Sequence, residues 1–242
     1  MAAKVAGEVE KGLMEATRKF RSKWLNAVFA SRRDSGTDAA ETESHRKSFL
    51  HVGCGPLDKT ALKGFNTDEW REIRFDIDKN AHPDIVGTLT DMSRVQSSSV
   101  DAVYSSHNIE HVFAHEVPVV LKEFHRVLKP DGIAVITCPD LQSVCEFVAK
   151  RGLLEPLYTS PAGPITAIDV LYGHRGYIAR GDVYMAHKCG FTYPLLQESV
   201  FAAGFKQSFG ASRPRMFDLW LLAFKQDVTE QAMVEAGSIY LR

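Results

Sequence analysis

Neither sign of charge predominates in this sequence: 29 lysines and arginines stand against 30 aspartates and glutamates, for a formal net charge of −1. A chain so balanced has no overall field to hold DNA or RNA, and no nucleic-acid partner is expected. No apolar run reaches the length of a membrane span, so no membrane partner is expected. The first residues lack the apolar core of a secretory signal, because Glu8, Glu10 and Lys11 break it up. Cysteine is scarce: Cys54, Cys138, Cys145 and Cys189 are scattered without zinc-binding spacing. Reduced thiols in a cytoplasmic protein are the expectation. There is no internal repeat. The apolar fraction, 45% over 242 residues, is ordinary and suffices for one good core.

What is present begins at Phe49-Leu50-His51-Val52-Gly53-Cys54-Gly55-Pro56. A short apolar run breaks into two glycines, the pattern of a buried strand entering a tight turn. Gly53 and Gly55 admit backbone angles that other residues resist, and they let a ligand approach the main chain. Further on, Arg74-Phe75-Asp76-Ile77-Asp78 ends a second strand in carboxylates. A glycine turn after one parallel strand and a carboxylate at the tip of the next are two halves of a nucleoside site. The dinucleotide fingerprint needs a third glycine, and Asp58 stands in its place. That weighs against a nicotinamide-dependent oxidoreductase.

The remaining pattern alternates strands and helices. Strands are expected at about 49–53, 72–77, 84–87, 100–105 and 133–138, with a helix over 117–128 whose Val117, Leu121, Phe124 and Leu128 share a face. The helix after the glycine turn is poorly specified, since Pro56, Gly64 and Asn66 intrude. Lys129-Pro130-Asp131-Gly132 reads as a stop and turn. Further helices are expected at 140–151 and 193–203, and two last strands at 206–209 and 216–224, forming a hairpin at the sheet edge. This alternation implies a parallel sheet with right-handed crossovers. The domain reading is a helical extension or lid at 1–30, a polar linker at 31–48, a folded domain at 49–226 with an insertion at about 155–192, and a tail at 227–242. An intersubunit contact, making a homodimer, would cover the apolar stripe of the first helix equally well.

These segments together resemble class I S-adenosylmethionine-dependent methyltransferases over about residues 49–225. His51 takes the place of the early acidic residue of the family's first motif, and Pro56 follows the second glycine. Ser105-Ser106-His107-Asn108-Ile109-Glu110-His111 and Leu128-Lys129-Pro130-Asp131-Gly132 resemble the family's fourth-strand segment and the turn that follows. With Tyr184–Thr192, they resemble the bacterial subset of type 11 that serves small-molecule and polysaccharide pathways. The resemblance implies a Rossmann-like α/β fold: a mostly parallel seven-stranded sheet with a reversed last strand and helices on both faces. It implies S-adenosylmethionine as cofactor, S-adenosylhomocysteine as product, and a small or medium-sized polar acceptor such as a saccharide or natural-product intermediate. The rival reading is a non-catalytic cofactor-binding or scaffold protein on the same fold. A nucleic-acid methyltransferase should show an Asn/Asp-Pro-Pro-aromatic signature, which Ser105-Ser106-His107-Asn108 does not.

Residue by residue, the resemblance gives Gly53, Cys54, Gly55, Asp76, Asp91, Met92 and Ser106 to the cofactor. Asp76 would take the ribose hydroxyls, with Asp78 as the alternative. Asp91 would take the adenine amino group, and Met92 a ring nitrogen through its amide and the ring face through its side chain. His107, just beyond the fourth strand, is the candidate base. His111 and Glu110 would fix the loop. Asp140, His174, Arg175, Tyr184 and His187 would shape the acceptor side, Arg175 by pairing with an anionic group. His107, His111 and His115 recur every four residues, but His107 precedes the helix and no recognisable ligand set completes them, so no metal is expected.

Overall fold

The computed structural model describes residues 46–161 and 163–241. The expected helical extension at 1–30, and the linker up to residue 45, lie outside them.

Seven strands form one sheet in the order β3-β2-β1-β4-β5-β9-β8. They are β1 (Lys47–Val52), β2 (Trp70–Asp76), β3 (Ile85–Val86), β4 (Val100–Ser106), β5 (Leu128–Pro139), β8 (Gln207–Arg213) and β9 (Asp218–Phe224). The first five run parallel, and β9 is antiparallel to both of its neighbours. This is the expected mostly parallel sheet with a reversed last strand. The reversed strand is internal, however, and β8 forms the edge. The apolar run Asp218–Phe224 accounts for this: six of its seven residues are buried, as a strand flanked on both sides requires.

Three local expectations shift. No α-helix forms between β1 and β2; only one 3-10 turn, Lys59–Ala61, does so, capped by Asp58. Lys129–Gly132 does not end an element. Val100 pairs with Leu128 and Ala102 with Ile133, so those four residues loop out within β5. β1 starts at Lys47, two residues before the predicted strand, because Lys47 and Ser48 pair with Trp70 and Arg71.

Helices cover both faces. The helix α1 (Val117–Val127) buries Val120, Leu121, Phe124 and Val127 in a core that includes Leu50, Val52, Val103 and Ile136. The helix α5 (Tyr193–Ala202) adds Leu196 and Val200 to the same core. On the other face, Phe49, Phe65, Trp70, Tyr104 and Tyr240 pack together. Tyr240 comes from α6 (Glu230–Tyr240), so the tail is helical. Between α2 (Leu141–Arg151) and α5, the chain makes a hairpin of β6 (Pro156–Ser160) and β7 (Gly163–Thr166), then the short helices α3 (Ala167–Tyr172) and α4 (Arg175–Ala179). Val144, Ile165, Ala167 and Val170 give this region its own small core. No helix among the described residues is long and apolar enough to cross a membrane.

Phe65 holds the second face together. Its ring is fully buried, stacks on Phe49 at 4.3 Å, and lies 5.0 Å from both Trp70 and Tyr240. Phe65→Ala is expected to cost about 3–5 kcal/mol of stability through lost burial and a residual cavity. Urea unfolding measures it; a loss below about 1 kcal/mol would mean that this aromatic cluster is dispensable.

Candidate cofactor and acceptor site

The parallel strands β1, β2, β4 and β5 point their C-terminal ends to one edge of the sheet, and neighbouring β1 and β4 mark the switch in strand order. Crevices form at such points. Gly53 and Gly55 follow β1 with φ of 64° and 51°, the left-handed region that favours glycine. A Cβ on Gly53 would lie 1.7 Å from Asn108 Nδ2, whereas one on Gly55 would meet nothing within 4 Å. The first glycine is thus required by a close neighbour, and the second faces open space. Asn108 also donates through Nδ2 to the Val52 carbonyl at 2.8 Å, tying the loop after β4 to the tip of β1.

Asp76 ends β2 and is 9% exposed. Its Oδ2 accepts the Gly55 amide at 2.8 Å, and its Oδ1 accepts the Asp78 amide at 2.8 Å. A carboxylate oxygen has a second lone pair, so both can still accept from a ligand's hydroxyls. Asp78 lies past the strand, and its Oδ1 caps the 3-10 turn Lys79–Ala81 through the Asn80 amide. The period-two argument that set Asp76 and Asp78 on one face therefore does not apply, because β2 ends between them. Arg74 braces the turn from below, donating through Nη2 to the Gly55 carbonyl at 2.6 Å.

His51 turns away from this crevice. It is buried, its Nδ1 lies 2.6 Å from Glu72 Oε1, and burial pushes its pKa down against the pull of Glu72. Cys54 is also buried, and burial pushes its thiol up to about 11. Burial likewise raises the Cys138 and Cys189 thiols, which suits unreactive side chains.

Asp91 is exposed, and its pKa is lowered by the Ser93 side chain and by the Ser93 amide, which it accepts at 3.0 Å. Met92 departs from expectation. Its side chain is fully buried in the main core, and its amide donates to Glu123 Oε2 at 3.2 Å. Neither group faces a ligand. An apolar surface is instead offered by Ile77, next to Asp76 and 40% exposed. The sequence reading missed Ile77 and Asn108; an apolar residue between two carboxylates at a strand tip was the signal for the first.

At the end of β4, Ser106 shares a hydrogen bond of 2.9 Å with Thr137 across to β5. His107 has φ 49°, an uncommon angle for a residue with a side chain, and is half-exposed. Its Nδ1 lies 3.5 Å from Glu110 Oε1. Burial disfavours the His107 cation, but the nearby Glu110 carboxylate outweighs this and raises its pKa. Glu110 is 1% exposed; burial would raise its pKa, yet His107 and its neighbouring histidines hold it below the usual carboxylate value.

The acceptor-side residues divide. Asp140 is buried, caps α2 through the Gln142 amide and accepts from the Ser212 hydroxyl. Arg175 pairs with Asp169 at 2.8 Å, and that carboxylate also accepts the Thr166 amide and hydroxyl. These bonds hold the Asp169 pKa far below its ordinary value against the effect of burial. Arg175 is therefore committed to fixing the start of α3, rather than free to pair with an anion. His174 caps α4, taking the Tyr177 amide on Nδ1. Tyr184 is exposed. His187 points inward, with Nδ1 2.7 Å from the Val170 carbonyl. A small cavity beside the tip of β5 is lined by Glu110, Pro139, Leu141, Val170, His187 and Cys189, among others. The histidines at 107, 111 and 115 do not gather: His115 stacks beside Phe113, while His111 and His187 lie together with rings 4.9 Å apart.

Residues 50–136 match the family described as a methyltransferase domain. The match bears out the enzyme class expected from the motifs, and S-adenosylmethionine as its cofactor. No curated protein matches the chain. Among solved structures the chain is similar to an O-methyltransferase candidate from Nostoc punctiforme, with 13% identity and a TM-score of 0.46, covering 77% of this chain and 53% of that longer one. It is similar to 1,6-didemethyltoxoflavin-N1-methyltransferase from Burkholderia thailandensis, with 17% identity and a TM-score of 0.44, over 88% of this chain and 90% of that one. A SAM-dependent methyltransferase from Archaeoglobus fulgidus gives 13% identity and a TM-score of 0.48, over 77% and 90%.

Proposed function

We propose that this protein transfers a methyl group from S-adenosylmethionine to a heteroatom of a small or medium-sized polar acceptor, a saccharide or natural-product intermediate being the class in view. The observation that carries the reading is the Gly53–Gly55 turn bonded to Asp76 across the tips of β1 and β2, with half-exposed His107 at the neighbouring tip of β4. The cofactor supplies an electrophilic methyl group on a sulfonium, which an in-line nucleophile displaces. The chain's task is alignment and exclusion of water. Asp76 would accept the two ribose hydroxyls, with its oxygens held by the Gly55 and Asp78 amides. Gly55 would leave room for the chain of the cofactor. Asp91 and Ile77 would bound the adenine. His107 would take the acceptor's proton on the ring nitrogen that does not face Glu110, as the acceptor bonds to the methyl carbon. The segment 155–192, with Tyr184 exposed on it, would form the acceptor side of a catalytic domain spanning 49–226.

The test uses the full chain with S-adenosylmethionine and a panel of hydroxylated and aminated small molecules, reading release of S-adenosylhomocysteine. Turnover with at least one acceptor is expected. His107→Ala should then lower turnover by about 10²-fold or more, the usual worth of a general base, and leave cofactor affinity within a few-fold. Undiminished turnover in a folded His107→Ala protein would remove the base from the mechanism.

A further inference from the structure

We propose that Glu110, His111 and His187 form a binding site for one divalent transition-metal cation, zinc being the best match, beside the tip of β5. One carboxylate oxygen and one ring nitrogen from each histidine lie within 4.8 Å of one another. The three residues come from two distant segments. His111 follows β4, while His187 precedes α5 and reaches the same point from the far side of the insertion.

The hydrogen-bond chemistry makes this a set of ligands. His111 Nδ1 lies 3.1 Å from the Ala186 carbonyl, and His187 Nδ1 lies 2.7 Å from the Val170 carbonyl. A carbonyl can only accept, so each Nδ1 carries the proton. In the neutral imidazoles, Nε2 is then left as a lone pair. This is the second shell that metal-binding histidines use: the outer nitrogen donates to a backbone carbonyl, and the inner one is free to coordinate. Glu110 is 1% exposed, and neither of its oxygens accepts a hydrogen bond. Its nearest ion-pair contact, His107 Nδ1, is at 3.5 Å, the outer limit of a useful interaction. A buried carboxylate left so is destabilising unless a cation or donor meets it. Three acceptors face one another, and a cation satisfies all of them.

Two imidazoles and one carboxylate are borderline ligands that suit zinc and its first-row neighbours, whereas calcium and magnesium favour oxygen alone. Binding would draw the side chains slightly together, because zinc bonds are about 2.0–2.2 Å. The small cavity lined by Glu110 and His187 leaves room for a fourth, exogenous ligand. The backbone carbonyl of Glu110 already accepts the Lys188 and Cys189 amides, so a cation on its carboxylate would further staple the loop after β4 to the segment entering α5. The regular spacing of His107, His111 and His115 led to no expected metal, and of those three only His111 belongs to the present set.

The full chain, freed of any affinity tag and stripped with a chelator, should bind one zinc ion per chain in a calorimetric titration. Cobalt in its place should give the intense visible bands of a four- or five-coordinate site. His187→Ala and Glu110→Gln, each checked for folding by circular dichroism, should weaken zinc binding at least about tenfold. The cobalt spectrum is read on the unaltered chain, so it decides the matter even if Glu110→Gln fails to fold. A cobalt spectrum no different from the hydrated ion, or zinc affinity unchanged in His187→Ala, would overturn the site. Neither readout requires an acceptor or any methyl transfer, so the result stands apart from the proposed activity.

Discussion

Gly53→Val should unfold the glycine turn and abolish cofactor binding. Its Cβ would fall 1.7 Å from Asn108 Nδ2, at a φ of 64° that a β-branched residue resists. Asn108 would have to move, losing its bond to the Val52 carbonyl. Backbone strain of about 1–3 kcal/mol and the lost hydrogen bond, about 1 kcal/mol, add to a loss of stability of several kcal/mol. Gly55→Ala is the control. It carries similar strain at φ 51° but meets nothing within 4 Å, so it should lose only about 1–2 kcal/mol. Urea unfolding of both variants makes the comparison. Equal losses would mean that Asn108 does not pack over Gly53 as the structure places it.

Asp76→Ala should lower affinity for S-adenosylhomocysteine by at least about a hundredfold. Two charge-assisted hydrogen bonds to ribose, about 1.5–3 kcal/mol each, would be lost together. The Gly55 and Asp78 amides would also lose their acceptor, so the turn that frames the ligand would loosen. Asp78→Ala should change affinity only a few-fold, since that carboxylate caps a local turn. Isothermal titration of both variants, each with a melting curve, separates them. A reversed order of effects would transfer the ribose role to Asp78.

The sheet was legible because its strands are short apolar runs bounded by glycine, proline and charge. Phe49–Val52, Val100–Ser105 and Ile133–Cys138 alternate with turns in a way that only a parallel α/β order satisfies. The hairpin of β8 and β9 at the sheet edge was legible, but that β9 would be its inner strand was not, since that place depends on β9 pairing with β5, far back in the chain. The loop-out at Lys129–Gly132 looked like a boundary because its residues favour turns whether a strand pauses or ends. In the site, the glycines and Asp76 were readable from local pattern. Met92 was not, because its burial depends on α1, where Glu123 takes its amide. Arg175 read as a free cation because its partner Asp169 lies six residues away, across the gap between two short helices. His187 joining His111 was beyond any spacing rule, since only the path of the insertion brings them together.

The central claim is that the crevice at the tips of β1, β2 and β4 holds S-adenosylmethionine. A crystal structure of the full chain with S-adenosylhomocysteine tests it most directly. The account predicts ribose hydroxyls within hydrogen-bond distance of Asp76, the amino-acid end over Gly53–Gly55, and the sulfur on the side of His107. A ligand seated elsewhere, or no bound ligand at saturating concentration with the crevice closed, would contradict it.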